Sequence, residues 1–126
     1  MTQSKKILIA DDEPNIVISL EFLMKREGFD VSIAGDGEEA IAKIRSDSPD
    51  LVLLDVMMPK KSGFDVCQEV KADPALSSTR ILMLTAKGRD TEMAKGLALG
   101  ADAYMTKPFS TKDLVEQVHQ LLGSNA

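Results

Sequence analysis

Five short apolar runs alternate with five longer stretches in which apolar residues recur at helical spacing. The first run, residues 5–10, holds Ile7, Leu8 and Ile9 without interruption, as expected of a strand covered on both faces. Residues 14–27 follow, with Ile16, Leu20 and Leu23 on one stripe beside Val17 and Met24. Pro14 suits a first helical turn, where the amide it lacks has no partner anyway, and Gly28 ends the helix. Residues 29–34 predict a second strand. Asp36 is placed to cap the next helix, Glu38 and Glu39 favour its positive end, and Ala40, Ile41 and Ile44 make its buried face. Residues 51–54 form the most apolar strand, predicted to be central, and lead into Asp55.

An irregular loop over 57–63 contains Pro59, and the helix after it, to residue 72, offers Phe64, Val66, Cys67 and Val70 to a core. Asp73 and Pro74 stop that helix, and a fourth strand over 80–84 ends at Thr85. A weaker helix at 90–99 carries Gly96 inside it, which lowers helix propensity and predicts the most mobile helix of the chain. Residues 101–105 predict a short fifth strand. In the last helix Ser110 and Asp113 form a capping-box-like pair, Phe109 and Leu114 a hydrophobic staple, and Leu114, Val118, Leu121 and Leu122 the stripe. His119, beside that stripe, reads as a surface residue.

Strand followed by helix, five times, predicts an α/β fold: a doubly wound five-stranded parallel sheet, (βα)5, with helices on both faces. No repeat or linker divides the chain, so residues 1–126 are expected to form a single domain with its core over 5–122. A 44% hydrophobic content supports a packed core and not a disordered chain. Cys67 is the only cysteine, which excludes an internal disulfide and fits a reducing compartment; it reads as a small hydrophobe. No run approaches the roughly 20 apolar residues of a membrane span, and the run after Lys5 and Lys6 is too short for a signal peptide. A cytoplasmic protein is expected. A net charge of −5 and the absence of Trp argue against direct nucleic-acid binding.

In such sheets ligands bind beyond the carboxyl ends of the strands. Asp11, Asp12 and Glu13 follow the first strand, Asp55 the third, Thr85 the fourth and Lys107 the fifth. The pieces Ala10-Asp11-Asp12-Glu13, Leu53-Leu54-Asp55-Val56-Met57-Met58-Pro59, Gly63, Leu84-Thr85-Ala86 and Gly100 through Phe109 stand in order at these ends. With them the chain resembles, from residue 6 to about 122, the receiver domains of two-component response regulators, the chemotaxis-regulator-like signalling fold.

The resemblance implies a flavodoxin-like strand order, 2-1-3-4-5, and a role in phosphorelay signal transduction. It implies that Asp55 is the phosphoacceptor, served by a histidine kinase or histidine phosphotransfer protein. Asp12 directly, Asp11 through water, Asp55 and the backbone carbonyl of Met57 would hold Mg²⁺, with Mn²⁺ as a substitute. Thr85 and Lys107 would bind the phosphoryl group, Thr85 and Tyr104 would act as the switch, and the Lys107–Pro108 peptide would be cis. Met57 and Lys87 would border the phosphoryl group and tune its lifetime. The only catalysis implied is the domain's own phosphorylation and dephosphorylation. The fourth helix, fifth strand and fifth helix would carry the signal to a downstream protein or an attached output domain. The residues make chemical sense of this: three clustered carboxylates repel one another until a hard divalent cation relieves them. Cation and lysine together offset charge on a transferring phosphoryl group.

The sequence departs from the family's dimer-forming branch. Asp102 is present, but Ala103 replaces the usual second acid and Gln117 stands where an arginine is common; Lys95 and Asp113 keep some charge. A monomer, or a weak phosphorylation-dependent dimer, is therefore expected. A phosphatase of the haloacid-dehalogenase kind needs a second acid two residues past its nucleophile, where this chain has Met57. A flavodoxin-like cofactor binder needs a phosphate-binding loop after the first strand, where three acids would repel phosphate.

Overall fold

The computed structural model describes residues 5–86 and 90–123. Its elements are β1 (Lys6–Ala10), α1 (Pro14–Arg26), β2 (Asp30–Ala34), α2 (Gly37–Asp47), β3 (Leu51–Asp55), α3 (Gly63–Ala72), β4 (Arg80–Ala86), α4 (Asp90–Ala98), β5 (Ala103–Lys107) and α5 (Thr111–Leu121). The strands form one parallel sheet in the order β2-β1-β3-β4-β5, the predicted (βα)5 arrangement with β3 at its centre.

The two-residue period of the strands divides the core into two. Leu8, Ala10, Val52, Leu54, Ile81 and Met83 turn to the side covered by α2 and α3, where Ala40, Ile44, Val66, Cys67 and Val70 meet them. Ile7, Ile9, Leu51, Leu53, Leu82 and Leu84 turn to α1 and α5 and pack on Leu20, Leu23, Met24, Leu114 and Val118. Every residue of β3 is buried, which explains its lack of any polar alternation before Asp55. Ile18 and Phe22 lie off the apolar stripe of α1 and are exposed.

Two readings are corrected by packing, the start of the fifth strand and the exposure of His119. The fifth strand starts two residues later than predicted, because Asp102 turns inward: its carboxylate accepts the Ile81 N–H at 2.8 Å and the Lys71 ammonium at 3.0 Å. Asp102 is thus a structural anchor. Lys95, another residue retained from the dimer pattern, holds its ammonium 4.6 Å from the centre of the Phe64 ring. Gly96 is buried against Met83 and Tyr104, so it has a packing role as well as a low helix propensity. His119 is only partly exposed, with its Nε2 2.9 Å from Glu27 Oε1 and its ring 5.5 Å from that of Phe29, so it joins α5 to the end of α1.

Ser110 caps α5 by accepting the Asp113 N–H. A complete capping box lies instead at α3, where Ser62 and Asp65 satisfy each other's backbone amides. Cys67 is buried, and burial pushes its thiol up to about 11, in keeping with a packing role. Among the described residues no helix is long and apolar enough to cross a membrane.

Candidate functional site

The carboxyl ends of β1, β3, β4 and β5 converge because the strands are parallel and in register. Ala10 pairs with Leu54, Asp55 with Leu84, and Thr85 with Thr106. Residues one step beyond β1 and at the ends of β3 and β5 therefore share one rim. Asp11, Asp12 and Asp55 meet there, each offering an oxygen within 4.8 Å of the others. Asp11 and Asp55 are buried, whereas Asp12 is exposed.

Each of the buried acids is held. Asp11 Oδ1 accepts the Glu13 N–H at 2.9 Å, and its Oδ2 accepts from Lys107 Nζ at 2.9 Å. Asp55 Oδ1 lies 3.4 Å from the Met57 N–H and 3.4 Å from Lys107 Nζ. Burial and the neighbouring Asp11 charge push the Asp55 carboxyl up to about 6, although Lys107 and the Met57 amide pull the other way. For Lys107 burial acts to lower the pKa, but the hydrogen bond it donates to Asp11 and the charges of Asp55 and Asp11 outweigh it, so the ammonium is held above its usual range. Net negative charge thus gathers beyond what one lysine neutralises. Three hard oxygen donors on one rim fit a small divalent cation.

Two glycines let the loops close on this rim. A Cβ on Gly63 would lie 2.3 Å from the Asp55 carbonyl oxygen, so only glycine lets α3 start against the backbone of β3. A Cβ on Gly37 would lie 2.1 Å from the Lys61 carbonyl oxygen, which lets the loop after β3 rest on the start of α2. Gly63 was one of the matching pieces in the sequence; Gly37 carried no such signal, because its neighbour is distant along the chain.

The other predicted residues lie as follows. Thr85 is buried at the end of β4, one residue past the partner of Asp55. Tyr104 is partly buried in β5, paired with Met83, and its ring packs on α4 at Gly96. Residues paired in a parallel register share a face, so Thr85, Met83 and Tyr104 all project to the α3 and α4 side. The Lys107–Pro108 peptide is cis. Met57 is 62% exposed at the rim. Lys87 lies outside the described residues. Glu13, just before α1, makes no capping bond with its side chain; its carboxylate instead lies 3.3 Å from Lys107 Nζ.

A family profile described as the response regulator receiver domain matches residues 7–119. The chain is similar to the alkaline phosphatase synthesis transcriptional regulatory protein PhoP of Bacillus subtilis, 46% identical over 119 residues, or 94% of this chain and 49% of that protein. It is also similar to the DNA-binding response regulator MtrA of Mycolicibacterium smegmatis, 43% identical over 124 residues, or 98% of this chain and 53% of that protein. The chain spans about half the length of these curated relatives. Among solved structures it resembles a candidate response regulator from Chloroflexus aurantiacus, with a TM-score of 0.93 and 34% identity over 96% of this chain and 99% of that one.

Proposed function

Because this chain belongs to the response regulator receiver domain family, we propose that Asp55 is the residue on which it accepts a phosphoryl group. Receiver domains are phosphoaccepting switches that catalyse only their own phosphorylation and dephosphorylation. The observation that carries the assignment is the convergence of Asp11, Asp12, Asp55 and Lys107 at one rim of the sheet.

Met57 N–H and Lys107 both address Oδ1 of Asp55. Oδ2 is then the oxygen that attacks phosphorus, forming the acyl phosphate as the bond from phosphorus to the donor's histidine nitrogen, or to acetate, breaks. Asp55 is buried, so its ionised form is poorly hydrated and its attack needs little desolvation. Lys107 turns its ammonium to the transferred oxygens, and the Thr85 hydroxyl donates to them. Asp12, Asp55, the Met57 carbonyl and, through water, Asp11 would hold Mg²⁺, or Mn²⁺ in its place, which would supply further neutralisation of phosphoryl charge.

The donor is a histidine kinase or histidine phosphotransfer protein. Drawing Thr85 toward the phosphoryl group vacates space on the face it shares with Tyr104, and the ring of Tyr104 moves against α4. The face of α4, β5 and α5 then signals to a downstream protein or an attached output domain. The curated relatives are named as a transcriptional and a DNA-binding regulator and extend well beyond the matched region. The receiver, one domain with its core over 5–122, does not itself bind nucleic acid. Exposed, apolar Met57 borders the group and sets its lifetime, a role that Lys87 shares. With Asp102 committed to Lys71, the domain is a monomer or a weak phosphorylation-dependent dimer. Intact mass after incubation with acetyl phosphate and Mg²⁺ tests the assignment: the wild type gains one phosphoryl group and Asp55→Asn none. Equal uptake by both would refute it.

A further inference from the structure

Lys107 has three carboxylate neighbours, and one of them stands outside the cation cluster. Its Nζ lies 2.9 Å from Asp11 Oδ2, 3.4 Å from Asp55 Oδ1 and 3.3 Å from Glu13 Oε1. Asp11 and Asp55 belong to the cluster; Glu13 does not. The Glu13 side chain is 60% exposed, while that of Lys107 is 15% exposed, so the acid reaches over the lysine from the solvent side. Its backbone is fixed by the bond from Glu13 N–H to Asp11 Oδ1. Nothing in the capping of α1 uses its carboxylate.

We propose that Glu13 is a positioning residue that draws the Lys107 ammonium toward its own, solvent side and competes with the phosphoryl group for it. This rests on Asp55 being the phosphoacceptor. A cation among Asp11, Asp12 and Asp55 takes up the charge of two of the three carboxylates that hold Lys107. Their attraction for the lysine falls, while that of Glu13, outside the cluster, is reduced less. A phosphoryl group arriving on Asp55 must then draw the ammonium away chiefly from Glu13. The competition lowers affinity for the phosphoryl group and leaves Lys107 with two alternative anionic partners. Partly exposed ion pairs are weak, so the effect is expected to be about two- to fivefold and not orders of magnitude.

The test is a titration with beryllofluoride at saturating Mg²⁺, followed by amide chemical shifts, on the wild type, Glu13→Gln and Glu13→Asp. Glu13→Gln removes the charge and should bind about two- to fivefold more tightly. Glu13→Asp keeps a charge at the rim but is one methylene too short to reach Lys107, so it should bind like Glu13→Gln. A merely structural role for Glu13 predicts looser binding in both variants and would overturn the proposal. Glu13→Asp matching the wild type while Glu13→Gln tightens would mean that rim charge acts on the anion directly, and would also overturn it. Equal affinities in all three overturn it while leaving the assignment of Asp55 standing. No binding by the wild type overturns both.

Discussion

A Cβ atom on Gly96 would lie 3.0 Å from Cε2 of Tyr104, so the missing side chain in α4 is what lets the tyrosine ring pack there. The same Cβ would meet Met83 Sδ at 2.8 Å. A sequence feature that suggests a loose helix is thus the means of its close approach to the sheet.

Gly96→Ala therefore sets two effects against each other. Helix propensity alone predicts a gain of about 1 kcal/mol, while forcing a methyl into a filled site costs about 1–3 kcal/mol. We expect a net loss of about 1 kcal/mol in urea denaturation, with the largest amide shift changes at Tyr104 and Met83. A stabilised protein would show that the ring yields freely.

The pKa of Asp55, raised from 3.8 to about 6, has a definite sign for stability. The folded state binds this proton more tightly than the unfolded chain does, so the contribution is full below about pH 4 and is lost as pH rises through 6. The loss amounts to about 3 kcal/mol at 1.36 kcal/mol per unit. In the absence of divalent cations, Asp55→Asn should then be more stable than the wild type at pH 7. That advantage should shrink toward pH 4. A pH-independent difference in unfolding free energy would contradict this.

Removing Asp12 and removing Asp11 should not be equivalent. Asp12 is exposed and its loss should weaken Mg²⁺ binding in a calorimetric titration by at least tenfold with little change in the unfolding midpoint. Asp11 is buried and accepts bonds from both Lys107 and the Glu13 amide. Asp11→Ala should destabilise the fold by about 2–3 kcal/mol as well, because donors are left unpaired in a buried place. Equal stability of the two variants would count against this division of labour.

Asp102 gives a test of structure against surface. Its carboxylate holds Lys71 and the Ile81 amide, and both side chains of the pair are less than one-fifth exposed. Asp102→Ala should cost about 2 kcal/mol in thermal or urea unfolding. Sedimentation should show no change in self-association. Unaltered stability with altered association would contradict this structural role.

How far the fold was legible follows from where its signals reside. Strands β1 and β3 are solid runs of apolar residues because both faces are covered, and α5 carries its cap and stripe within a dozen residues. The start of β5 was misplaced because what decides it is the bond from Asp102 to Ile81, twenty-one residues away. The capping box at Ser62 and Asp65 was legible in principle, as serine followed by an acid three residues on, but the loop before it obscured the helix start.

The sequence by itself determined the order of elements, the parallel sheet and the set of polar residues at the strand ends. These rest on local spacing: period two for strands, 3.6 for helices, and chemistry held at the point where an apolar run stops. Only the tertiary structure decided how those residues divide their bonds. Glu13 spans 94 residues to reach Lys107, Gly96 matters through Tyr104 and Met83, and His119 meets Glu27 across 92 residues. Such choices depend on contacts between side chains far apart along the chain, and no local periodicity encodes them.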